Sequence, residues 1–429
     1  MKALIYAYGT RGDVEPAVAL AQAILRDGGD AVVAVPRSLV AWVAGMGVSA
    51  TGVSDEALQR ISSPEVRKMF EGSLTRSEHR RIAEALMQES VDEYGQILSD
   101  IARIAEESGP VEVVVHAQGL AEATHQIGEW LEVPTVLATL YPNYAPSGRY
   151  PSMLLAGSRF TSRALNRMSH SVANLIAPPA VFRRQLRSWR SERLGLGERR
   201  GYWNFRDSPS SSKKILHAFS PTLVRPADEW GGSVSTRGFW FAEEGRYRDD
   251  DGLGEYLASA SPIVVTLGSL RPSDEAGTDE IIREVAEALQ VHLLVVSGTS
   301  EFVTAGSDLV RVIDNVPFSW LFPRATAVVH AGGAGVSHHA VRAGVPQVTL
   351  PIHGEQLMWA KSLAELGVAP APIMMRELTA EALGRALSEV LNSAGIARSV
   401  AAGALSMRRE DGVDGAVRDL EEWVVAHSS

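Results

Sequence analysis

Short runs of apolar and β-branched residues alternate with helix-length amphipathic stretches along the first 140 positions of the chain. Ala3 to Ala7 is predicted as a strand, Gly9 to Glu15 as a glycine-bearing loop, and about Pro16 to Arg26 as a helix, which together form the first half of a βαβ unit. Asp30 to Val35, Val111 to Val115 and Thr135 to Thr139 continue the series as strands. An open, mostly parallel sheet covered by helices follows from that alternation. The same grammar restarts after position 260. Pro262 to Leu267 reads as a strand ending in Gly268-Ser269, Asp279 to Gln290 as a helix, and His292 to Ser297, Ala325 to His330 and Gln347 to Leu350 as three more strands.

Between the two α/β halves, Arg225 to Asp251 is rich in Gly, Pro and charge and reads as a linker. The expected organisation is therefore a Rossmann-like domain over 1–225, a linker over 226–251, a second Rossmann-like domain over 252–405 and a C-terminal helix over 406–429. Ile396 to Ala426 has a helical apolar pattern, broken by Gly403, Gly412 and Gly415. Two such domains imply a central cleft between the carboxyl ends of their sheets, where ligands of α/β proteins bind.

Composition narrows the chemistry. The 429 residues contain no cysteine, which excludes disulfides, thiolate zinc sites, iron–sulfur clusters and a cysteine nucleophile. No run approaches the ~18 apolar residues that span a bilayer, and Ala3 to Ala7 is too short for a signal-peptide core, so a cytoplasmic protein is expected. A net charge of −10 argues against nucleic acid as a partner. The charge is uneven: Arg159 to Lys214 holds thirteen Lys/Arg against three acidic residues, a net of +10 that leaves −20 for the remainder.

The strongest chemical signal is Val328-Val329-His330-Ala331-Gly332-Gly333-Ala334-Gly335-Val336-Ser337, a strand entering a glycine-rich turn and then a helix. Glycines admit a ligand close to the backbone, and the unpaired N–H groups at a helix start attract an anion such as phosphate. The run lacks both the Gly-Lys-Ser/Thr of the NTPase loop and the G-x-G-x-x-G spacing of a dinucleotide site. The bland alternative is a tight turn that packs a helix on a strand. One strand further on, Pro351-Ile352-His353-Gly354-Glu355-Gln356 closes the unit.

Together with Val316-Pro317-Phe318-Ser319-Trp320-Leu321-Phe322-Pro323-Arg324 and Arg342-Ala343-Gly344-Val345-Pro346, these motifs resemble the donor half of nucleotide-sugar-dependent glycosyltransferases of the GT-B fold. The likeness is greatest to the bacterial antibiotic (vancomycin-type) and sterol glycosyltransferases. Gly9-Thr10-Arg11-Gly12-Asp13-Val14-Glu15-Pro16 is similar to the Gly-Ser-Arg-Gly-Asp-x-x-Pro signature of the same group. The resemblance implies an α/β GT-B protein with an acceptor-binding first domain, a nucleotide-sugar-binding second domain and a C-terminal helix returning to the first. It further implies an inverting transfer of a sugar from a UDP- or dTDP-sugar to a hydroxyl of a small-molecule acceptor, a secondary metabolite or lipid-like aglycone.

Residue by residue, the resemblance assigns His330 to the diphosphate. It assigns the turn Gly332, Gly333, Ala334, Gly335 and Val336 to a backbone cradle, with Gly12, Gly268 and the hydroxyl of Ser269 also on the donor side. Val316 contacts the base through its main chain, and Glu355 and Gln356 hold sugar hydroxyls. Thr10, His116, Gln118 and Tyr141 are candidates for acceptor contact. Ala331, where a second His is frequent, Val336, where a hydroxyl is usual, and Glu355, where Asp is common, depart from the family pattern.

Asp13 is the candidate base for the acceptor hydroxyl, and equally a candidate helix N-cap. The run Asp249-Asp250-Asp251 lies in the expected linker and reads as a solvated acidic loop, so no metal site and no cofactor beyond the co-substrate are expected. Val181, Phe182, Leu186, Trp189 and Leu194 recur at near-helical spacing with arginines between them. This is a core-facing helix with a basic face, or a surface through which Arg183, Arg184, Arg187 and Arg190 meet an anionic membrane or acceptor. An epimerase of the same fold and a non-catalytic nucleotide-sugar-binding subunit are the alternatives to a transferase.

Overall fold

A computed structural model describes the chain except residues 62, 72, 73, 153, 154, 156–161, 177–179, 198–213, 246, 250, 251, 269–274, 298–306, 353, 428 and 429. It divides into two compact units, one of Met1–Arg60, Ala83–Glu243 and Asp411–Ser429, the other of Ile61–Ile82 and Glu244–Glu410.

The first unit holds a parallel sheet of β1 (Lys2–Tyr6), β2 (Asp30–Pro36), β3 (Ser49–Val53), β4 (Val113–Ala117), β5 (Thr135–Thr139), β6 (Lys214–His217) and β7 (Val234–Thr236), in the spatial order β3-β2-β1-β4-β5-β6-β7. The direction of winding reverses between β1 and β4, the position at which open α/β sheets present their ligand crevice. Side chains alternate across the sheet. Leu4, Tyr6 and Val114 pack with Ile101, Ile104, Ala123 and Ile127 of helices Arg76–Glu107 and Ala121–Leu131. Ile5, Val115 and Ala138 face a small cavity shared with Asp13, Leu20 and Trp240.

Helix Arg11–Arg26 begins a turn and a half earlier than its apolar pattern predicts. Thr10 takes an extended conformation as N-cap, and Asp13 at the third helical position accepts from the Thr10 N–H at 2.8 Å and from Thr10 Oγ1 at 2.9 Å. That is a capping box with Asp in the place of the usual Glu, so Thr10 rather than Asp13 caps the helix.

The second unit repeats the plan with β8 (Ile263–Thr266), β9 (Leu293–Val296), β10 (Val310–Ile313), β11 (Ala327–His330) and β12 (Gln347–Thr349), ordered β10-β9-β8-β11-β12 and parallel throughout. Its switch point lies between β8 and β11, where His330 pairs in register with Thr266. Leu321, Phe322, Val328 and Ala340 are among the fully buried residues of its core.

The stretch expected as linker is largely structure. Residues 226–243 belong to the first unit, where β7 is partly buried at the sheet edge and Phe239 and Trp240 are buried. Asp249 accepts from the N–H groups of Leu253 and Gly254, both at 2.7 Å, and so fastens the start of helix Leu253–Ala260. Asp250 and Asp251 lie outside the described residues.

The terminal helix Gly412–His427 returns to the first unit, as the resemblance implies. Arg26 pairs with Asp414, and the 5% exposed Asp419 accepts from Arg237 Nε at 2.9 Å, from Arg237 Nη2 at 2.8 Å and from Ser235 Oγ. Burial alone would raise the Asp419 pKa, but the bonds from Arg237 and Ser235 outweigh it and hold the carboxyl below 3.8. A depressed folded pKa contributes stability that is full above the unfolded value and lost as pH falls through the folded one. Asp419→Asn should therefore cost about 1–3 kcal/mol at neutral pH. The difference from wild type should narrow as pH drops below about 4, as read from denaturant melts across pH.

Candidate functional site

In the second unit the chain leaves β11 through Gly332, whose φ of +85° lies in the left-handed region. A Cβ there would stand 2.7 Å from the backbone oxygen of Gln356, so this glycine is required by conformation and by close packing. Helix Ala334–Ala343 then starts with Gly333 as N-cap and no side-chain cap. The N–H of Ser337 reaches the Gly333 carbonyl at 3.1 Å. The N–H groups of Ala334, Gly335 and Val336 belong to the orphan first turn of a helix. Gly333, Gly335 and Val336 are partly exposed.

A Cβ added to Gly333 or Gly335 would meet no protein atom within 4 Å. Packing therefore explains Gly332 and leaves the other two glycines to another cause. An uncapped helix start, a bare backbone and the positive end of the helix dipole make an anion cradle.

Around this turn the expected residues fall as follows. Gln356, 7% exposed, is in the first turn of helix Gly354–Leu366, and its Oε1 accepts from the Ile352 N–H at 2.7 Å. Glu355 beside it is half-buried. Gly268, exposed and left-handed with φ +72°, follows β8 next to β11. Ser269 lies outside the described residues. Val316 is 9% exposed within the hydrophobic core of the unit.

His330 differs from expectation. It is 0% exposed, its Nδ1 receives the Gly332 N–H at 3.0 Å, and its Nε2 lies 2.8 Å from Gln347 Oε1. Both ring nitrogens thus have partners inside the protein.

In the first unit, Asp13, Thr10 and Tyr141 come together. The half-buried Asp13 accepts from Thr10 as described and from the side chain of Tyr141. Burial pushes its pKa above 3.8, and the bonds from Thr10 and Tyr141 oppose that rise without cancelling it. Gly12 is exposed in the first turn of the helix. His116 does not join them. It shares a register and a sheet face with Tyr6, opposite to the face of Val115 and Asp13, and its ring packs on His125 at 5.6 Å. Alternation along β4 thus removes it from the Asp13 side. Gln118 lies in the single turn after β4, its side chain outside the described residues.

The basic helix Ala180–Glu192 buries Leu186 and Trp189. Arg190 is 3% exposed and grips Glu129 through two bonds of 2.6 and 3.0 Å, so it faces inward and cannot contribute to a docking face. Arg184 and Arg187 remain exposed, Arg183 is half-buried, and residues 159–161, 177–179 and 198–213 of the basic segment are outside the described set. Among the described residues no helix is long and apolar enough to cross a membrane.

Comparison with known proteins adds the following. The glycosyltransferase family 28 N-terminal domain model matches residues 3–128, and the erythromycin biosynthesis protein CIII-like C-terminal domain model matches 282–414. The chain is 27% identical over 437 residues to O-mycaminosyltylonolide 6-deoxyallosyltransferase of Streptomyces fradiae, covering 99% of this chain and 97% of that protein. It is 25% identical to a sterol 3-beta-glucosyltransferase of Eremothecium gossypii over 95% of this chain, and spans about a third, 33%, of that longer protein. Among solved structures, the glycosyltransferase VinC in complex with dTDP superposes with a TM-score of 0.68 over 99% of this chain and 100% of that one, at 18% identity.

The glycines separate by experiment. Gly332→Ala should lose about 1–3 kcal/mol of stability, the usual size of left-handed strain in a residue with a Cβ. Gly335→Ala should keep or slightly raise the melting temperature, since Ala suits a helix better than Gly, yet weaken nucleoside-diphosphate binding at least tenfold in calorimetry. Unchanged binding in Gly335→Ala would return the turn to pure packing.

Proposed function

This chain is a glycosyltransferase of the GT-B fold, with a sugar nucleotide as donor, and from that premise we propose that it transfers the sugar from a dTDP- or UDP-sugar to a hydroxyl of a small, largely apolar acceptor with inversion at the anomeric carbon. The observation that carries the reading is the uncapped start of helix 334–343 behind two glycines that packing does not need. There the leaving diphosphate gains N–H donors and the helix dipole as negative charge develops on it.

Asp13 serves as the base. As the acceptor oxygen forms its bond to C1 of the sugar, the bond from C1 to the diphosphate oxygen breaks, and the acceptor proton passes to the Asp13 carboxylate. A carboxyl raised above the ordinary range is a stronger base than a surface aspartate. Thr10 and Tyr141 fix its orientation from two sides.

Glu355 and Gln356 read the sugar in this proposal, supported by their position in the helix turn that abuts Gly332. The acceptor class is supported by the likeness to the deoxyallosyltransferase of O-mycaminosyltylonolide and to the sterol glucosyltransferases. A divalent cation is not needed, because the helix start supplies the positive field that a metal would.

Asp13→Asn tests the base. Asn retains a side-chain oxygen toward Thr10, so the melting temperature and nucleotide affinity should hold, while turnover falls about 10²- to 10⁴-fold. Wild-type kcat/KM should fall in acid through an apparent pKa above 3.8, and the variant should lose that limb. Turnover near wild type in Asp13→Asn would remove the residue from catalysis. A donor and acceptor panel read by mass spectrometry should give glycosylated product in chelator as in buffer. Epimerised donor alone, or no change in either substrate, would overturn the transferase reading, and activity that returns only with magnesium or manganese would overturn the metal-free one.

A further inference from the structure

We propose that helix Arg163–Ile176 of the first unit lies on the surface of an anionic lipid bilayer, with Leu165, Met168 and Val172 in the lipid and Arg163 and Arg167 among the headgroups. The proposal stands apart from the donor and acceptor readings, and its test uses no substrate.

The helix is inverted relative to one that covers a core. Its polar residues Asn166, Ser169 and His170 are 3%, 4% and 3% exposed, whereas Leu165, Met168 and Val172 are 42%, 55% and 45% exposed. Three of the seven large apolar side chains exposed among the described residues thus fall within about two turns of one helix. They form a stripe, which scattered single exposures do not. At about 100° per residue, Ala164, Leu165, Met168 and Val172 share one arc, and Arg163, Arg167 and Ser171 occupy the arc beside it.

The inward face is polar because it fastens a loop instead of filling a core. Asn166 Nδ2 donates to the Gly148 carbonyl at 2.9 Å, Ser169 Oγ accepts from the Ser152 N–H at 2.8 Å, and His170 Nε2 lies 3.1 Å from the Tyr150 carbonyl oxygen. These bonds set the rotation of the helix, so the apolar arc is held outward. The fastened loop belongs to the connection after β5 that also carries Tyr141, whose side chain bonds Asp13.

Charge selects the occupant. The helix contains no acidic residue. Around it stand Arg149, Arg163, Arg167 and Arg225 against Asp228 and Glu229. Glu229 pairs with Arg163 at 3.3 Å and with Arg167 at 3.7 Å, and Tyr150 Oη links Arg149 Nε to the Arg225 carbonyl. Four arginines against two carboxylates leave this face positive on a chain whose net charge is −10. An apolar partner protein has no use for the arginine fringe. An anionic bilayer uses both features, because apolar side chains enter the acyl boundary while arginines meet headgroup phosphates. Repulsion of the acidic remainder from the same layer orients the molecule with this helix downward.

The test is co-sedimentation of the whole chain with phosphatidylcholine vesicles containing phosphatidylglycerol. Binding should appear at ~0.01 M salt and weaken at ~0.1 M, as the Debye length falls from ~30 Å to ~10 Å. Leu165→Asp/Met168→Asp should keep the melting temperature, since both side chains are exposed, and bind roughly tenfold more weakly or worse. Leu405→Asp, at a 54% exposed position of the second unit, should bind as wild type does. No binding by wild type at ~0.01 M salt, or wild-type binding in Leu165→Asp/Met168→Asp, would overturn the proposal. Sedimentation showing a dimer that the same double variant abolishes would overturn it in favour of a second copy of the chain.

Discussion

The feature on which the rest depends is the turn that carries a parallel strand into its helix at the carboxyl edge of a sheet. It is tight enough to need a left-handed glycine, and it occurs at the switch point of both units. After β1, Gly9 has φ +145°, and a Cβ on it would lie 2.5 Å from Asp13 Oδ2. After β11, Gly332 has φ +85° and the Gln356 backbone in the same relation. Each turn delivers the positive end of a helix to the edge of its sheet. The two units then use that end in opposite ways. In the first, Thr10 and Asp13 satisfy the start of the helix from within and install a carboxylate there. In the second, the start is left without a side-chain cap, open to an anion from outside.

That division of labour accounts for the electrostatics of each site. A carboxylate at a helix start, with hydrogen bonds from Thr10 and Tyr141, should titrate low, yet Asp13 is pushed upward because its burial outweighs those bonds. The carboxylate is held in place and still basic. Around the second turn the opposite choice holds. His330, whose Nδ1 accepts from the Gly332 N–H, is kept neutral by burial, so under the proposed function the field at the helix start comes from backbone dipoles whose direction the turn controls.

Much of this was legible in the sequence because the central strands are short β-branched runs and both turns are marked by glycine. The strands that escaped are β3, β6, β7 and β10, at or next to sheet edges. β3 contains a glycine and β10 an arginine, both are only partly buried, and β7 is three residues long inside a stretch rich in Gly and charge, so an edge strand there looks like a linker. Asp13 and the turn 332–336 were visible as motif, and Tyr141 only by its place after β5, as an acceptor contact. The inward pairing of Arg190 with Glu129 and the contact of Gln347 with His330 were not, since each joins residues 61 or 17 positions apart through tertiary packing that no local pattern encodes. His116 was misplaced for a simpler reason: one step along β4 moves a side chain to the other face.

The claim that a single base and a single displacement suffice is tested most directly by the anomeric configuration of the product. With a donor of known α configuration, proton NMR of the purified glycoside should show the β anomer, the outcome of one in-line attack assisted by Asp13. An α-linked product would contradict the account, because retention requires either a second displacement on an enzyme nucleophile or departure and return on one face, and Asp13 acting as a base toward the acceptor supplies neither.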